Sequence, residues 1–551
     1  MTPDIAYSLL LPLLLVFGAA IVSVLVEAFA PARHRYATQM VLYLGGLGAA
    51  LVSVVLLAGT REVTAGGSVA VDGTALFLQG VTILVAMGAG LLISERTVAG
   101  ATSRAASAVG AAAGSSTASH AGSADRSGAS SPLKVLAGFA PQAAVAPGGD
   151  GERDAERAGV MQTEVFPLVL FATGGLMLFP AANDLITLFI ALEVLSLPLY
   201  VLCGMARRRR LLSQEAAVKY FLLGAFSSAF FVYGVALIYG YAGTVDFDGI
   251  AATVRADGPT PLVLIGVALM SVGLLFKVGA VPFHTWTPDV YQGAPTSITA
   301  FMAAGTKVAA FGAILRFFHT AVARLEADWA PVLWVIAALT MIVGTVIGVT
   351  QNDVKRMLAY SSVAHAGFLL TGVIALGSAG VRGTLFYLAA YAVSTVGVFA
   401  VAGLVRDPDG AEITDLQSWG GLGRRQPVVA GAFAVLLLAL AGIPLTSGFI
   451  AKFAVFSAAI AGGAVVLVVI GVLTSAIAAS FYVRVIVMMF FHDSGSTAGY
   501  GSDGRPASVA FARQPVTLAV VGVAVVITIA LGIAPQPLLD LADQATLAPS
   551  F

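Results

Sequence analysis

Residues 271–286 read SVGLLFKVGAVPFHTW, with a lysine and a histidine seven positions apart in a run otherwise apolar enough to cross a membrane. Hydrocarbon is a poor solvent for an ammonium group, and a charge at the bilayer centre costs about 2.5–3.5 kcal/mol on insertion scales. Pro282 lacks an amide donor and its ring clashes with the preceding turn, so a helix through this run is expected to break at mid-membrane. The backbone groups freed by a break are tolerated there only where protein or water satisfies them. A charge beside a break therefore points to the interior of a helical bundle.

The whole chain supports that setting. It has 551 residues, 58% hydrophobic and 11% charged, with a mean hydropathy of +0.93, whereas a soluble domain carries roughly 25% charged residues. The fold class is an all-α polytopic membrane protein. A net charge of +0 offers no attraction for nucleic acid. One cysteine, Cys203, excludes an internal disulfide and an iron–sulfur cluster held by this chain alone. No glycine-rich turn joins a strand to a helix, so no dinucleotide or nucleotide site is expected. The opening stretch lacks a basic n-region and is of full membrane length, which reads as a first span rather than a cleaved signal.

Apolar runs of about 20 residues place fourteen spans near 5–29, 37–58, 74–95, 163–180, 184–205, 216–242, 260–291, 296–318, 330–350, 355–377, 382–404, 428–457, 465–490 and 516–536. Two of them, 260–291 and 428–457, are too long for a simple crossing and carry Pro282 and Pro444 near their middles. Broken helices at matching places suggest two inverted five-helix repeats, at 161–320 and 328–491. Three helices in 1–95 precede them, and a loop, a last helix and a short tail in 492–551 follow. Residues 96–160, rich in Ala, Ser and Gly, are expected to form a disordered cytoplasmic loop.

Odd-numbered loops hold nineteen Lys and Arg, among them Arg207 to Arg210, Lys355 and Arg356, and even-numbered loops hold four. The positive-inside rule then puts both termini outside. Six basic residues remain within spans: Lys219, Lys277, Lys307, Arg316, Lys452 and Arg484. Lys219, Arg316 and Arg484 lie toward helix ends and are expected to snorkel to the headgroups. Lys277, Lys307 and Lys452 lie too deep for that, as does Glu193. One carboxylate cannot neutralise three ammonium groups, so a hydrated interior in which lysines load and release protons is expected. His284, just past Pro282, and His365 can pass protons between lysines. His365 and Lys219 are second-rank members of this set.

Three segments carry a family resemblance: FKVGAVPFHTWTPDVYQGAPTSITAFMAAGTK at 276–307, RMLAYSSVAHAGF at 356–368 and AGIPLTSGFIAKF at 441–453. Together they resemble the antiporter-like subunits of respiratory complex I, closer in WTPDVYQGAP to the N-type branch than to the L and M paralogues. The resemblance implies fourteen helices, discontinuous seventh and twelfth helices, and a mid-membrane proton path. By matched position, Glu193 resembles the family's fifth-helix glutamate, Lys277 the lysine that pairs with it, Lys307 the central lysine of the eighth helix, and Lys452 the terminal lysine of the twelfth. His284 falls on the motif's histidine. No cofactor is implied in this chain: NADH, FMN, iron–sulfur clusters and quinone would be bound by other subunits. The implied partners are L- and M-type subunits, small membrane subunits and the lipid of a bacterial plasma membrane. Two departures stand out: the 96–160 insert is longer than the family pattern, and the long lateral helix of an L-type subunit does not follow the last span. The competing expectations are a subunit of a sodium/proton antiporter and a purely structural membrane subunit.

Overall fold

The computed structural model describes residues 5–95, 97–99, 134–136, 162–206, 210–407, 410–492 and 509–545. The expected disorder of 96–160 concerns residues that lie, apart from 97–99 and 134–136, outside this set. So do Arg207 to Arg209 of the basic run and the two chain ends.

Helices α1 (Leu11–Phe29), α2 (Ala32–Leu56) and α3 (Gly73–Ser94) come first. A five-helix group then runs from α4 (Val165–Leu178) through α5 (Leu185–Cys203) and α6 (Arg210–Ala242) to the divided helix α8 (Pro261–Val278) and α9 (Trp286–Gly293), and ends in α10 (Thr296–Arg316). A short amphipathic helix, α7 (Phe247–Asp257), lies between α6 and α8. The second group is α11 (Glu326–Thr350), α12 (Val354–Ile374), α13 (Ser378–Leu404), the divided α15 (Pro427–Ala441) and α16 (Ser447–Ala461), and α17 (Val465–Phe491). The one-turn α14 (Leu422–Arg425) precedes α15, and α18 (Pro515–Ile533) and α19 (Gln536–Gln544) follow. Among the described residues, twelve helices are long and apolar enough to cross a membrane. Counting the shorter α4 and the divided α15–α16 as one span each gives the fourteen expected.

Three features depart from the sequence reading. Short antiparallel ladders interrupt the all-helical pattern: β1 (Glu62–Thr64) with β2 (Val69–Val71), β3 (Thr97–Ala99) with β4 (Lys134–Leu136), and β5 (Val405–Arg406) with β6 (Ala510–Phe511). Secondly, the breaks begin at glycine, ahead of proline. Gly279 (φ 73°) and Gly442 (φ 85°) adopt the left-handed conformation that ends helices. Their amides return to Phe276 and to Leu438 and Ala439, closing α8 and α15, while Pro282 and Pro444 sit in the irregular links beyond. Thirdly, Arg316 and Arg484 do not snorkel. Arg316 is buried, pairs with buried Asp72 at 2.8 Å and donates to the Pro180 carbonyl at 2.7 Å. Arg484 donates to the carbonyls of Val349 and Gln351 and to Asn352 Oδ1. Each arginine thereby ties the last helix of its group to the end of the first.

The two groups keep a common register. Asp184 caps α5 by accepting from the Thr187 amide, and Asp353 caps α12 by accepting from that of Arg356. Both also form an isolated bridge, to Asp246 and Asp415 respectively. Pro180 and Val349, Asp184 and Asp353, and Asp246 and Asp415 each lie 169 apart, and Arg316 and Arg484 168 apart. Five crossings per group make successive groups run in opposite directions through the membrane. Helices α10, α12 and α13 are buried along nearly all their apolar length, whereas α1 and α18 face outward. The buried three form the core, and the charged chemistry sits on and against them.

Candidate functional site

Glu193 and Ser196 lie three apart on α5 and so share a face. The Ser196 hydroxyl donates to the Leu192 carbonyl of its own helix and accepts from Lys277 Nζ at 2.7 Å. Lys277 also donates to the Tyr220 hydroxyl at 3.3 Å and lies 5.3 Å from the centre of that ring. Tyr220 stacks on Trp286 at 4.6 Å, and the indole N–H donates to the Phe276 carbonyl at 2.9 Å. The first residue of α9 thus fixes a partner of the lysine near the end of α8. Glu193, half-buried, accepts from Ser228 Oγ at 2.5 Å. It does not close an ion pair with Lys277 here, although the two remain within Coulombic reach. A serine occupies each partner in the other's place.

Lys307, buried on α10, donates from Nζ to the Val278 carbonyl at 2.6 Å. Val278 is the last residue of α8, where carbonyls lack helical partners and the helix dipole is negative. Lys452 on α16 finds the same kind of acceptor at the other break. Its Nζ donates to the carbonyls of Leu440 at 3.1 Å and Ala441 at 2.8 Å and to Ser475 Oγ at 2.7 Å, beneath the Phe368 ring at 4.9 Å. A Cβ on Gly442 would stand 2.9 Å from Lys452 Cδ, so this glycine both ends α15 and leaves room for the lysine.

His365 on α12 lies within the electrostatic reach of both Lys307 and Lys452. Its Nδ1 meets the Tyr387 hydroxyl at 2.8 Å and its Nε2 that of Tyr482 at 3.4 Å, and Tyr482 in turn bonds Ser361. Among the described residues, none of Lys277, Lys307 and Lys452 forms an ion pair. Lys277 is held by hydroxyls and aromatic faces, Lys307 by a helix-end carbonyl, and Lys452 by two carbonyls, a hydroxyl and an aromatic face. The arrangement can hold a proton and pass it on.

Other sequence candidates lie apart from this row. His284 is half-buried in the link after α8, its ring 6.4 Å from that of Tyr360 and its Nδ1 without a partner, and it touches none of the three lysines. Lys219 is 43% exposed and pairs with Glu215 and with Asp289 of α9, each at 2.7 Å. Arg356 of α12 joins Asp289 from the other side at 2.7 Å, so this network bridges the two groups. Lys355, assigned to a loop by its charge, is buried at the start of α12 and donates to the Ala294 carbonyl at 2.8 Å and Thr296 Oγ1 at 3.2 Å. Ser196, Ser228, Tyr220, Tyr387, Tyr482 and Ser475 were also not singled out, because a hydroxyl in an apolar span carries no signal of where it points. Among the described residues, no group of three His, Cys, Asp or Glu could hold a metal ion.

The family described as NADH:quinone oxidoreductase/Mrp antiporter, TM, matches residues 182–478, a stretch that contains all of this row. A protein of Rhodococcus opacus named NADH-quinone oxidoreductase subunit N is 61% identical over 99% of this chain and 96% of its own. This chain belongs to the family of NADH-quinone oxidoreductase N subunits. Its family fold is also visible in a chain of respiratory complex I from Thermus thermophilus with bound aureothin, which is 30% identical at a TM-score of 0.72 and covers 97% of this chain and 99% of that one. A chain of the Mrp complex from Dietzia sp. DQ12-45-1b shares the fold at a TM-score of 0.73 and 22% identity, over 99% and 98% of the two chains. The N-subunit family therefore shares its architecture with antiporter complexes.

Proposed function

We propose that this chain is a membrane-arm subunit of a respiratory complex I in a bacterial plasma membrane, with both termini outside, and that it translocates protons. The repeats at 161–320 and 328–491 each supply half of the path. Glu193, Lys277, Lys307 and Lys452 carry the relay, with His365 between the last two lysines and His284 at the first break, its buried Nδ1 without a partner. Closing Glu193 onto Lys277 holds that lysine protonated, and opening the pair releases the proton toward Lys307. The drive comes from NADH oxidation and quinone reduction on other subunits, which hold FMN, the iron–sulfur clusters and quinone. L- and M-type subunits and small membrane subunits are its neighbours. The observation that carries this reading is the row of three buried lysines with only neutral hydrogen-bond partners, the last two within reach of His365.

In tagged native membranes, the chain should migrate in one high-mass band with NADH dehydrogenase activity. Lys307→Ala should leave that band intact and remove this subunit's share of proton pumping per NADH. An assembled Lys307→Ala complex that pumps normally would refute the relay. The shared fold with an Mrp complex supports a sodium/proton antiporter subunit as the second reading. A tag that migrates away from NADH oxidation, with sodium-dependent proton exchange, would favour it.

A further inference from the structure

In the first group, the last carbonyl of the half-helix before the break receives its hydrogen bond from Lys307 of α10. In the second, the last carbonyl before the break is Ala441 O, and the residue of α17 that reaches it is Ser475, at 3.4 Å. Lys307 and Ser475 lie 168 apart, the same interval that separates Arg316 from Arg484 on the same two helices. Ser475 therefore stands in the register place of Lys307. The ammonium in the second group arrives from another helix, on Lys452, and Ser475 Oγ accepts from it at 2.7 Å.

The bland account of a serine in an apolar helix is a bond to its own backbone. Its neighbours on α17 do that: Thr474 bonds the Ile470 carbonyl and Ser480 that of Ile477. Ser475 turns outward instead, donating to Ala441 and accepting from Lys452. With the carbonyls of Leu440 and Ala441, it completes three acceptors for the three protons of the ammonium. Lys307 has one such protein acceptor and Lys277 two.

We infer that Ser475 is a positioning residue for the terminal relay lysine, holding the Lys452 ammonium against the C-terminal carbonyls of α15. This rests on the proton-relay reading above. Removing the hydroxyl frees one N–H of the ammonium without altering the helix, so proton release from this step should become easier.

The test measures proton pumping per NADH against pH in membranes holding the assembled complex, with Ser475→Ala, Ser475→Thr and Lys452→Ala. Ser475→Ala should move the alkaline edge of pumping by about one pH unit toward acid, and Ser475→Thr, which restores a hydroxyl, should return the wild-type edge. An unchanged edge in Ser475→Ala, with pumping lost in Lys452→Ala, overturns this inference and leaves the relay standing. Normal pumping in Lys452→Ala overturns the relay itself at this step. Should Ser475→Ala fail to assemble, Ser475→Cys keeps the shape with a weaker acceptor and is read in the same way.

Discussion

The two divided helices solve one problem with different parts. Each ends its first half at a left-handed glycine, and each offers the carbonyls exposed there to an ammonium group. At the first break the ammonium comes from the following helix, α10, and a second lysine, Lys277, sits on the broken helix itself. At the second break the ammonium comes from the second half-helix, α16, and a serine fills the vacated place on α17. What the comparison teaches is that the acceptor, a helix end with unpaired carbonyls, is the constant element. The cation can be delivered from either side of it.

The arginines that close each group give the sharpest test of how alike the groups are. Arg316→Ala breaks the buried pair with Asp72, and breaking a buried pair costs about 3–5 kcal/mol. Arg484→Ala frees only carbonyls and an amide, worth about 1–3 kcal/mol. Thermal unfolding of the assembled complex should rank the two in that order. Equal losses would mean that the Asp72 pair adds nothing to the first group.

The glycines come next. Gly279→Ala and Gly442→Ala both force a side chain into the left-handed region, at about 1–2 kcal/mol. The new methyl at 279 meets Thr287 Oγ1 at 2.8 Å, and that at 442 meets Lys452. Both variants should lose similar stability, and only Gly442→Ala should also lower pumping per NADH. Equal pumping in the two would break the claim that Gly442 makes room for the lysine. The smallest effect belongs to Lys219→Ala. Its pairs with Glu215 and Asp289 are partly exposed, so the stability change should stay below about 1 kcal/mol, with pumping retained. A complete loss of pumping would bring Lys219 into the relay.

Much of this was legible beforehand, and the gaps have physical causes. Runs of apolar residues locate helices because bilayer thickness sets their length, and the deep lysines stood out because nothing else in those runs is charged. The breaks were placed at Pro282 and Pro444, yet a helix stops where the chain can turn left-handed, and here that is the glycine two or three residues earlier. Arg316 and Arg484 read as snorkelling residues because the sequence shows their positions near helix ends and hides their partners. Asp72 and Pro180 lie far away along the chain from Arg316. By its charge Lys355 counts with a loop, yet at the start of α12 its ammonium is taken up by the Ala294 carbonyl and Thr296 Oγ1, which lie far from it in sequence. Ser196, Ser228 and Ser475 could not be found by type, since most hydroxyls in such helices bond their own backbone. Their roles come from direction, which only packing sets.

The register between the two groups also shows where their lengths differ. From Gly279 to Lys307 the chain runs 28 residues, and from Gly442 to Ser475 it runs 33, while the flanking landmarks keep an interval of 168 or 169. The extra length falls in the segment holding α16, which has 15 residues where α9 has 8. At 1.5 Å per residue, that gives the second copy about 10 Å more helix beyond the break. Lys452 is the sixth residue of that half-helix, within its first two turns. Ahead of the break the second group is correspondingly shorter, with 27 residues from Asp415 to Gly442 against 33 from Asp246 to Gly279, so the break comes earlier in an otherwise constant frame and the longer half-helix beyond it brings its own lysine back to the exposed carbonyls.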